Sequence, residues 1–334
     1  MNSKTKIAIN GFGRIGRNLF RLLLNHPKIE VVAINDIADY RTMSHLLKYD
    51  SIHGVLPNDC SFNDEGILVD GKLYTFFHEK EISKINWQKV EAEIVVESTG
   101  KYKTYEDIFQ HIESGAQKVI LSAPSETEKI KTVVLGVNEH ILDGSEKIIS
   151  NASCTTNNAA PMIKIINDLC GIEQAYITTV HSYTTDQSLH DQPHKDLRRA
   201  RGAAQSIVPT TTGAAKALTK IFPELEGKIG GSGIRVPVPD GSLTDITCYV
   251  REEISIEKLN EAFKKASENE LKGILAYTED PIVSVDILGN QNSCLFDAQL
   301  TSVLSKMIKV VGWYDNEIGY SARLIDLILV TKNN

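Results

Sequence analysis

One short stretch near the start constrains the fold most. Lys6–Asn10 (KIAIN) is an apolar run, and residues 11–16, directly after it, read G-F-G-R-I-G. Ile15, Leu19, Leu22 and Leu23 then recur at helical spacing. A buried strand that breaks through three glycines into a helix suits a βα turn. Gly11 permits the tight turn, Gly13 lets backbone approach a pyrophosphate, and Gly16 lets helix and strand pack closely. The helix start offers N–H groups to phosphate oxygens. Arg14 and Ile15 stand inside the same loop. A second strand, Glu30–Asp36 (EVVAIND), ends on an acid 20 positions after Gly16. A carboxylate at Asp36 accepts hydrogen bonds from ribose hydroxyls and repels a 2′-phosphate, which points to NAD rather than NADP. The competing reading is an ordinary glycine-rich turn followed by a strand-end acid. Strand, glycines, helix, strand and acid in this order favour the cofactor.

The apolar runs Ile94–Glu97, Lys118–Leu121, Thr132–Leu135 and Lys147–Ser150 continue the pattern. Short continuous runs alternating with helical segments predict an α/β domain, a Rossmann-type doubly wound parallel sheet, over residues 1–152. The second half reads as an α+β domain with a mixed or antiparallel sheet, over 153–316. Strand-like segments there are Tyr176–His181, Ile234–Val238, Leu243–Val250, Ile282–Leu288, Ser293–Asp297 and Lys306–Tyr314. A helix bearing Leu259, Ala262, Phe263 and Ala266 on one stripe is expected to cover one face of that sheet. The polar stretch 182–205 follows neither period, and so long a loop in a compact domain is usually functional.

Composition excludes several classes. With 334 residues and 42% hydrophobic content the chain can build sizeable cores. A net charge of −7 disfavours nucleic acid as the main partner. No apolar run approaches the roughly 18 residues that span a bilayer, so no membrane is expected. The five cysteines are odd in number and widely spaced, without C-x-x-C. That is neither a disulfide framework nor a metal site, and it suits a reducing, cytoplasmic setting.

Cys154 sits in S-N-A-S-C-T-T-N (150–157), after the run Lys147–Ser150 and before a helical pattern through Ile163, Ile166 and Leu169. A cysteine at a helix N-terminus gains from free N–H groups and the dipole, which favour thiolate. A lone cysteine is more often a small buried hydrophobe, but Ser153, Thr155, Thr156 and Asn157 are too polar for a core. A nearby imidazolium is expected to lower the thiol pKa further. Nine histidines compete for the role of base. His181, at a strand end, is a natural candidate, but residue pattern alone leaves His190 and His194 open. Lys195, Arg198, Arg199, Arg201 and Arg235 read either as solvated charge or as anion recognition. Thr210–Gly213 suits phosphate oxygens.

At this point the motifs resemble a family. INGFGRIGR (9–17), VESTGKY (96–102), NASCTTN (151–157), HSYTTDQ (181–187), PTTTGAAKAL (209–218) and GWYDNEIGYSAR (312–323) are similar to glyceraldehyde-3-phosphate dehydrogenases over essentially the whole chain. The resemblance implies that Cys154 attacks the aldehyde of glyceraldehyde 3-phosphate while His181 takes the proton. NAD then receives hydride, and inorganic phosphate cleaves the thioester to 1,3-bisphosphoglycerate. It implies cofactor contacts at Arg14, Ile15, Asp36, Lys80, Ser122 and Asn316, with Tyr320 near the nicotinamide. It assigns Thr184 and Arg235 to the substrate phosphate, and Ser153, Thr155, Thr212 and Gly213 to the attacking phosphate. It also implies a homotetramer, with loop 182–205 reaching a neighbouring cofactor site, and a C-terminal helix (317–334) returning to the first domain. Departures are Asn158 where many members carry a second Cys, Gln192-Pro193 where NAD-specific members often have Leu-Pro, and Pro239-Asp240-Gly241. The rival readings are an erythrose-4-phosphate dehydrogenase and a non-catalytic NAD-binding sensor. Thr184 and the T-T-T-G-A-A run speak against the first. The pairing of Cys154 with a base beside anion-binding residues speaks against the second.

Overall fold

The computed structural model describes residues 4–333. It divides into two compact units. One comprises the residues up to Val133, His140–Ala152 and Ser321 onward; the other comprises Val134–Glu139 and Ser153–Tyr320.

The first unit carries a nine-stranded sheet. In chain order its strands are β1 (Thr5–Asn10), β2 (Ile29–Asn35), β3 (Cys60–Asn63), β4 (Gly66–Val69), β5 (Lys72–Phe77), β6 (Ile94–Glu97), β7 (Lys118–Leu121), β8 (Lys131–Thr132) and β9 (Ile148–Ser150). Their spatial order is β8-β9-β7-β6-β1-β2-β5-β4-β3. All pairs from β8 to β5 are parallel, while β5-β4 and β4-β3 form an antiparallel hairpin edge. Helices α1 (Arg14–Leu23), α2 (Tyr40–Lys48) and α3 (Tyr105–Glu113) accompany them. The central strands are buried on both sides, which explains why Ile7, Ala8, Ile9, Val95 and Val96 form unbroken apolar runs. The chain leaves β1 for β2 on one side and returns to β6 on the other. The crevice beyond the carboxyl ends of β1 and β6 is therefore a topological switch point, where open α/β sheets bind ligands.

The second unit carries an eight-stranded mixed sheet. Its strands are β10 (Ile172–Ser182), β11 (Val208–Thr210), β12 (Ile229–Val236), β13 (Ser242–Val250), β14 (Leu275–Thr278), β15 (Cys294–Asp297), β16 (Ser302–Leu304) and β17 (Met307–Tyr314). The order is β11-β12-β10-β13-β17-β15-β14, with β16 beside β17. β10 runs parallel to β12 and antiparallel to β13. β13 alternates as its sequence predicts: Thr244, Ile246, Cys248 and Val250 are buried, and their neighbours are half-buried or exposed. Helix α4 (Cys154–Cys170) packs on β13 and β17. Asn158 helps to fix it there, its amide donating to the Ser293 and Trp313 carbonyls at 3.3 and 3.2 Å. α5 (Ala214–Ile221) lies against β12, and α6 (Ile256–Glu268) seats Leu259, Phe263 and Ala266 against the sheet. Phe263 stacks face to face on Phe296. α7 (Ile318–Asn333) belongs to the first unit from Ser321 onward.

Two expected strands differ. Only Lys131–Thr132 of the run ending at Leu135 pairs with β9, because the Asn138 side chain accepts the Val134 N–H at 2.8 Å and turns the chain away. Ile282–Leu288 is no strand but contains a 3₁₀ turn, Ser284–Ile287. There the Asp286 carboxylate reaches back to the Val283 N–H at 2.8 Å, the local side-chain bonding that competes with a ladder.

Candidate functional site

The nucleotide loop obeys its steric logic. Gly11 has φ +95°, and a Cβ there would lie 2.6 Å from the Thr99 nitrogen. A Cβ on Gly16 would meet the Gly11 oxygen at 2.1 Å, so helix and loop touch backbone to backbone. Gly13 is exposed with nothing within 4 Å, leaving its backbone open to a ligand. It starts α1 without a side-chain cap, so first-turn N–H groups remain for an anion. Asp36 is held by two backbone donors, Phe12 N at 2.7 Å and Ala38 N at 3.0 Å.

A cavity of about 440 Å³ opens here, lined by Gly11, Gly13, Asp36, Lys80, Ser98 and Thr99 among others. Beside it Arg14 forms a two-pronged ion pair with Asp50, which holds that carboxyl well below its usual range despite burial. Arg14 is thus committed to the protein through its side chain. Ile15 follows it in the first turn of α1. Ser122 has a buried hydroxyl without a protein partner, which fits a group meant for a ligand. The open Gly13, the fixed Asp36 and the orphaned Ser122 hydroxyl all suit a dinucleotide.

The second unit brings Cys154 and His181 together. Cys154 is the first residue of α4, and Ser153 caps the helix by accepting the Thr156 N–H at 3.1 Å. The Cys154 Sγ lies 3.4 Å from His181 Nε2, at the end of β10. Of the three histidines left open by the sequence, His190 is exposed, and only His181 reaches the sulfur. Its Nδ1 lies 2.8 Å from the Ser182 carbonyl and 2.7 Å from Arg235 Nη1, which also donates to that carbonyl at 2.8 Å.

Burial works against the expected thiolate–imidazolium pair. Burial pushes the Cys154 thiol up, outweighing the Arg235 charge and the Thr155 hydroxyl and N–H that favour thiolate. Burial and then the Arg235 charge bring His181 down to about 3, so the imidazole is neutral. On the thiol, the helix N-terminus and the guanidinium both favour the anion, and dehydration opposes them.

Tyr314, not anticipated from the sequence, organises the floor. Its hydroxyl lies 2.9 Å from both Thr155 Oγ1 and Thr179 Oγ1, and its ring meets the His181 ring edge-on. The Thr155 hydroxyl is therefore engaged with protein. Thr184 donates to Asp186 at 3.0 Å, and Asp186 accepts from Arg199 at 2.6 Å. Arg199 also donates to Thr210 at 2.8 Å, linking the end of β10 to the threonine run. Of the basic cluster, Arg201 is an exposed partner of Asp191, the bland reading, whereas Arg199 and Arg235 stand by the site. Thr212 and Gly213 open α5; the Thr212 hydroxyl accepts the Ala214 N–H at 3.2 Å, and Gly213 is exposed. Asn316 accepts at Oδ1 from Ser182 and Ser242, at 2.9 and 2.6 Å, which leaves its amide nitrogen as the donor end. Tyr320 is buried in the first turn of α7.

The residues 153–316 match the family model of the glyceraldehyde 3-phosphate dehydrogenase C-terminal domain, and 5–105 match its NAD binding domain. The chain belongs to the glyceraldehyde-3-phosphate dehydrogenase family. It is 52% identical to glyceraldehyde-3-phosphate dehydrogenase from Geobacillus stearothermophilus and 51% to glyceraldehyde-3-phosphate dehydrogenase 1 from Bacillus subtilis, each over 96% of both chains. To the Mycobacterium avium protein of that name it is 51% identical, over 98% of this chain and 99% of that one. As in the family, NAD is the cofactor. Among the described residues no helix is long and apolar enough to cross a membrane.

One departure from the common family pattern acquires a physical role. Asp240 is buried and hydrogen-bonds Asp315, whose carboxylate accepts N–H bonds from Glu317, Ile318 and Gly289 at 2.9, 2.7 and 2.7 Å. Burial, then the charges of Asp315 and Glu317, raise Asp240 to about 9, so it holds a proton at neutral pH. The unfolded chain releases that proton near pH 4. The folded state therefore loses stability as pH rises from about 4 to about 9. Asp240→Asn keeps a neutral donor toward Asp315 and removes this slope. Its urea midpoint is expected to exceed the parent's at pH 8 and to converge with it near pH 4; parallel curves would contradict the assignment.

The glycine loop yields a second test. Gly16→Ala is expected to lower the melting midpoint, whereas Gly13→Ala leaves it within about 2 °C yet weakens NAD binding at least tenfold. Equal effects of the two on stability would refute the division of labour.

Proposed function

We propose that this chain oxidises and phosphorylates glyceraldehyde 3-phosphate to 1,3-bisphosphoglycerate with NAD, through a thioester on Cys154. The observation that carries this is the Sγ–Nε2 approach of 3.4 Å at a helix N-terminus, with two arginines beside it. Cys154 Sγ adds to the aldehyde carbon, and His181 Nε2 takes the thiol proton. The new oxyanion forms at the N-terminus of α4, whose first-turn N–H groups and dipole favour developing negative charge. His181 returns that proton to the oxyanion, giving the neutral hemithioacetal hydroxyl, and takes it back as the hydride leaves. NAD, when bound, supplies the acceptor for the hydride that leaves the same carbon. The thioester keeps the oxidation energy that a free carboxylate would lose. Inorganic phosphate then attacks it, and the thiolate departs.

Arg235 and Thr184 suit the dianionic end of the substrate, because guanidinium and hydroxyl donors match phosphate oxygens. Ser153, Thr155, Thr212 and Gly213 are proposed for the attacking phosphate; the Tyr314 bond on Thr155 is then exchanged for it. Gly11, Gly13, Arg14, Ile15, Gly16, Asp36, Lys80 and Ser122 are proposed to hold the dinucleotide. Asn316, through its free amide donor end, and Tyr320 are proposed as further cofactor contacts. Cofactor binding is proposed for 1–152 completed by the C-terminal helix 317–334, and catalysis for 153–316; the compact units differ at Val134–Glu139 and just before Ser321. Exposed Leu189, Leu197 and Ile207 in and after the long loop support burial in a homotetramer. Five free cysteines support a reducing, cytoplasmic setting.

Cys154→Ser is expected to reduce phosphate-dependent NADH formation by at least 10³-fold while NAD binding, read by calorimetry, stays within about threefold. Undiminished turnover would remove Cys154 from the reaction. A higher kcat/KM for erythrose 4-phosphate than for the triose would replace the substrate.

A further inference from the structure

Three neighbouring strands of the first unit end level with one another on buried polar residues. Asn10 closes β1. It pairs with Asn35, the last residue of β2, and with Glu97, the last residue of β6. Their exposures are 2%, 4% and 1%. Apolar side chains would close these strands at less cost, because each buried polar group has to find partners. Here the polar groups find them in one another, and the direction of the bonds is fixed from both ends. The Trp87 indole can only donate. It donates to His111 Nδ1 at 2.9 Å, so the ring proton of His111 sits on Nε2, which faces Glu97 Oε2 at 3.0 Å. At the other end the Glu79 N–H donates to Asn35 Oδ1 at 2.9 Å. The Asn35 amide therefore donates, to Asn10 Oδ1 at 2.7 Å and to the Glu79 carbonyl at 3.0 Å. The Asn10 amide then donates to Glu97 Oε2 at 2.5 Å. The second Glu97 oxygen takes the Thr99 N–H at 2.8 Å and the Thr99 hydroxyl. Four donors converge on one carboxylate, two on each oxygen.

We propose that Glu97 is the positioning residue of the dinucleotide crevice: from behind the wall it sets the spacing of the glycine loop, the 98–100 turn and the Glu79–Lys80 segment, and with it the affinity for NAD. The inference rests on the reading of this crevice as the cofactor site and adds what holds its walls apart. Asn10, Asn35, Glu79 and Thr99 line the 440 Å³ cavity, whereas Glu97 and His111 are not among its lining residues. Asn10 leads into the glycine loop, Thr99 lies in the turn after β6, and Asn35 fixes the backbone just before Lys80. The two loops on either side of Gly11 touch closely. A Cβ on Gly11 would lie 2.6 Å from the Thr99 nitrogen, and the Ser98 hydroxyl donates to the Gly11 carbonyl at 2.7 Å. The height at which Glu97 holds Thr99 therefore sets how the glycine loop lies.

A role in holding the fold alone fits the placement less well. The strands beneath are already joined by their backbone ladders and by the packing of Ala8, Ala33, Trp87 and Val95. The polar row lies above that core, at the carboxyl ends of the strands, where a ligand of an open α/β sheet binds. Its far end is anchored in the core, since Trp87 is fully buried and meets the Phe77 ring edge-on. A binding wall supported by locked side chains behind it keeps its geometry before the ligand arrives. The carboxylate is also hard to replace. Gln at position 97 keeps the shape but brings an NH2 group. Turned one way, that group faces the Thr99 N–H; turned the other way, it faces the Asn10 amide and His111 Nε2–H. Either orientation sets donor against donor in a buried place.

Calorimetry of NAD binding to the full chain is the direct test. Glu97→Gln is expected to weaken binding roughly tenfold or more, with KM for NAD rising in parallel and kcat at saturating NAD within about threefold of the parent. His111→Phe, at a residue outside the cavity wall, removes one of the four donors and is expected to weaken binding about threefold. Ile108→Val, buried in α3 and also outside the wall, is the control: it is expected to lower the melting midpoint and leave NAD binding at the parent value. In the ligand-free parent the Thr99 amide is expected to resist hydrogen exchange by roughly a hundredfold over a free amide, read by mass analysis of short peptides covering 98–100. Parent-like affinity in Glu97→Gln refutes the assignment, and so does free exchange at Thr99. Equal weakening in Ile108→Val and Glu97→Gln refutes it as well, because general loosening then explains both. If Glu97→Gln does not fold, His111→Phe and the parent amide decide. Binding weakened by Gly13→Ala but not by Glu97→Gln sinks only the role of Glu97; binding indifferent to both sinks the reading of the crevice itself.

Discussion

Everything chemical in this protein depends on one contact, the 3.4 Å approach of the Cys154 sulfur to His181 Nε2. Neither residue is placed by its own segment alone. The sulfur is fixed by the first turn of α4, which Ser153 caps and Asn158 ties to the sheet. The imidazole is fixed by the end of β10, between the Ser182 carbonyl and the ring of Tyr314. A helix start and a strand end from one core meet at a point, and the packed interior beneath makes that point rigid.

Burial and charge act together on this contact. Burial disfavours both thiolate and imidazolium, and Arg235 adds to the second effect. The buried Asp240–Asp315 pair uses another route to neutrality, retaining a proton instead of recruiting a cation, and it holds the turn that carries Asn316.

Much of this was legible in the residues. The glycine loop read correctly because its constraints are local and steric: one Cβ at Gly16 collides with the next turn of backbone. The parallel strands read correctly because burial on both faces leaves no polar position to confuse the pattern. Cys154 was legible as a helix-start cysteine in polar company. The choice of His181 was not, because nothing in its own segment reveals which element of the sheet will lie beside α4. Tyr314 was missed for the same reason, since its role arises from the pairing of β13 with β17, far apart in the chain. Ile282–Leu288 misled because its apolar alternation is strand-like, while one carboxylate, Asp286, closes a turn. The pull of dehydration on the thiol was not legible, because dehydration is a property of the assembled site.

The central claim is that the reaction runs through an acyl group on the Cys154 sulfur. Rapid mixing of the enzyme with glyceraldehyde 3-phosphate and NAD in phosphate-free buffer, followed by acid quench and peptide mass analysis, tests it most directly. One NADH per active chain should appear in a burst, and the peptide bearing Cys154 should gain the mass of a phosphoglyceroyl group that added phosphate removes. NADH formed in a burst without acyl mass on that peptide, or with the mass on another residue, would contradict the account.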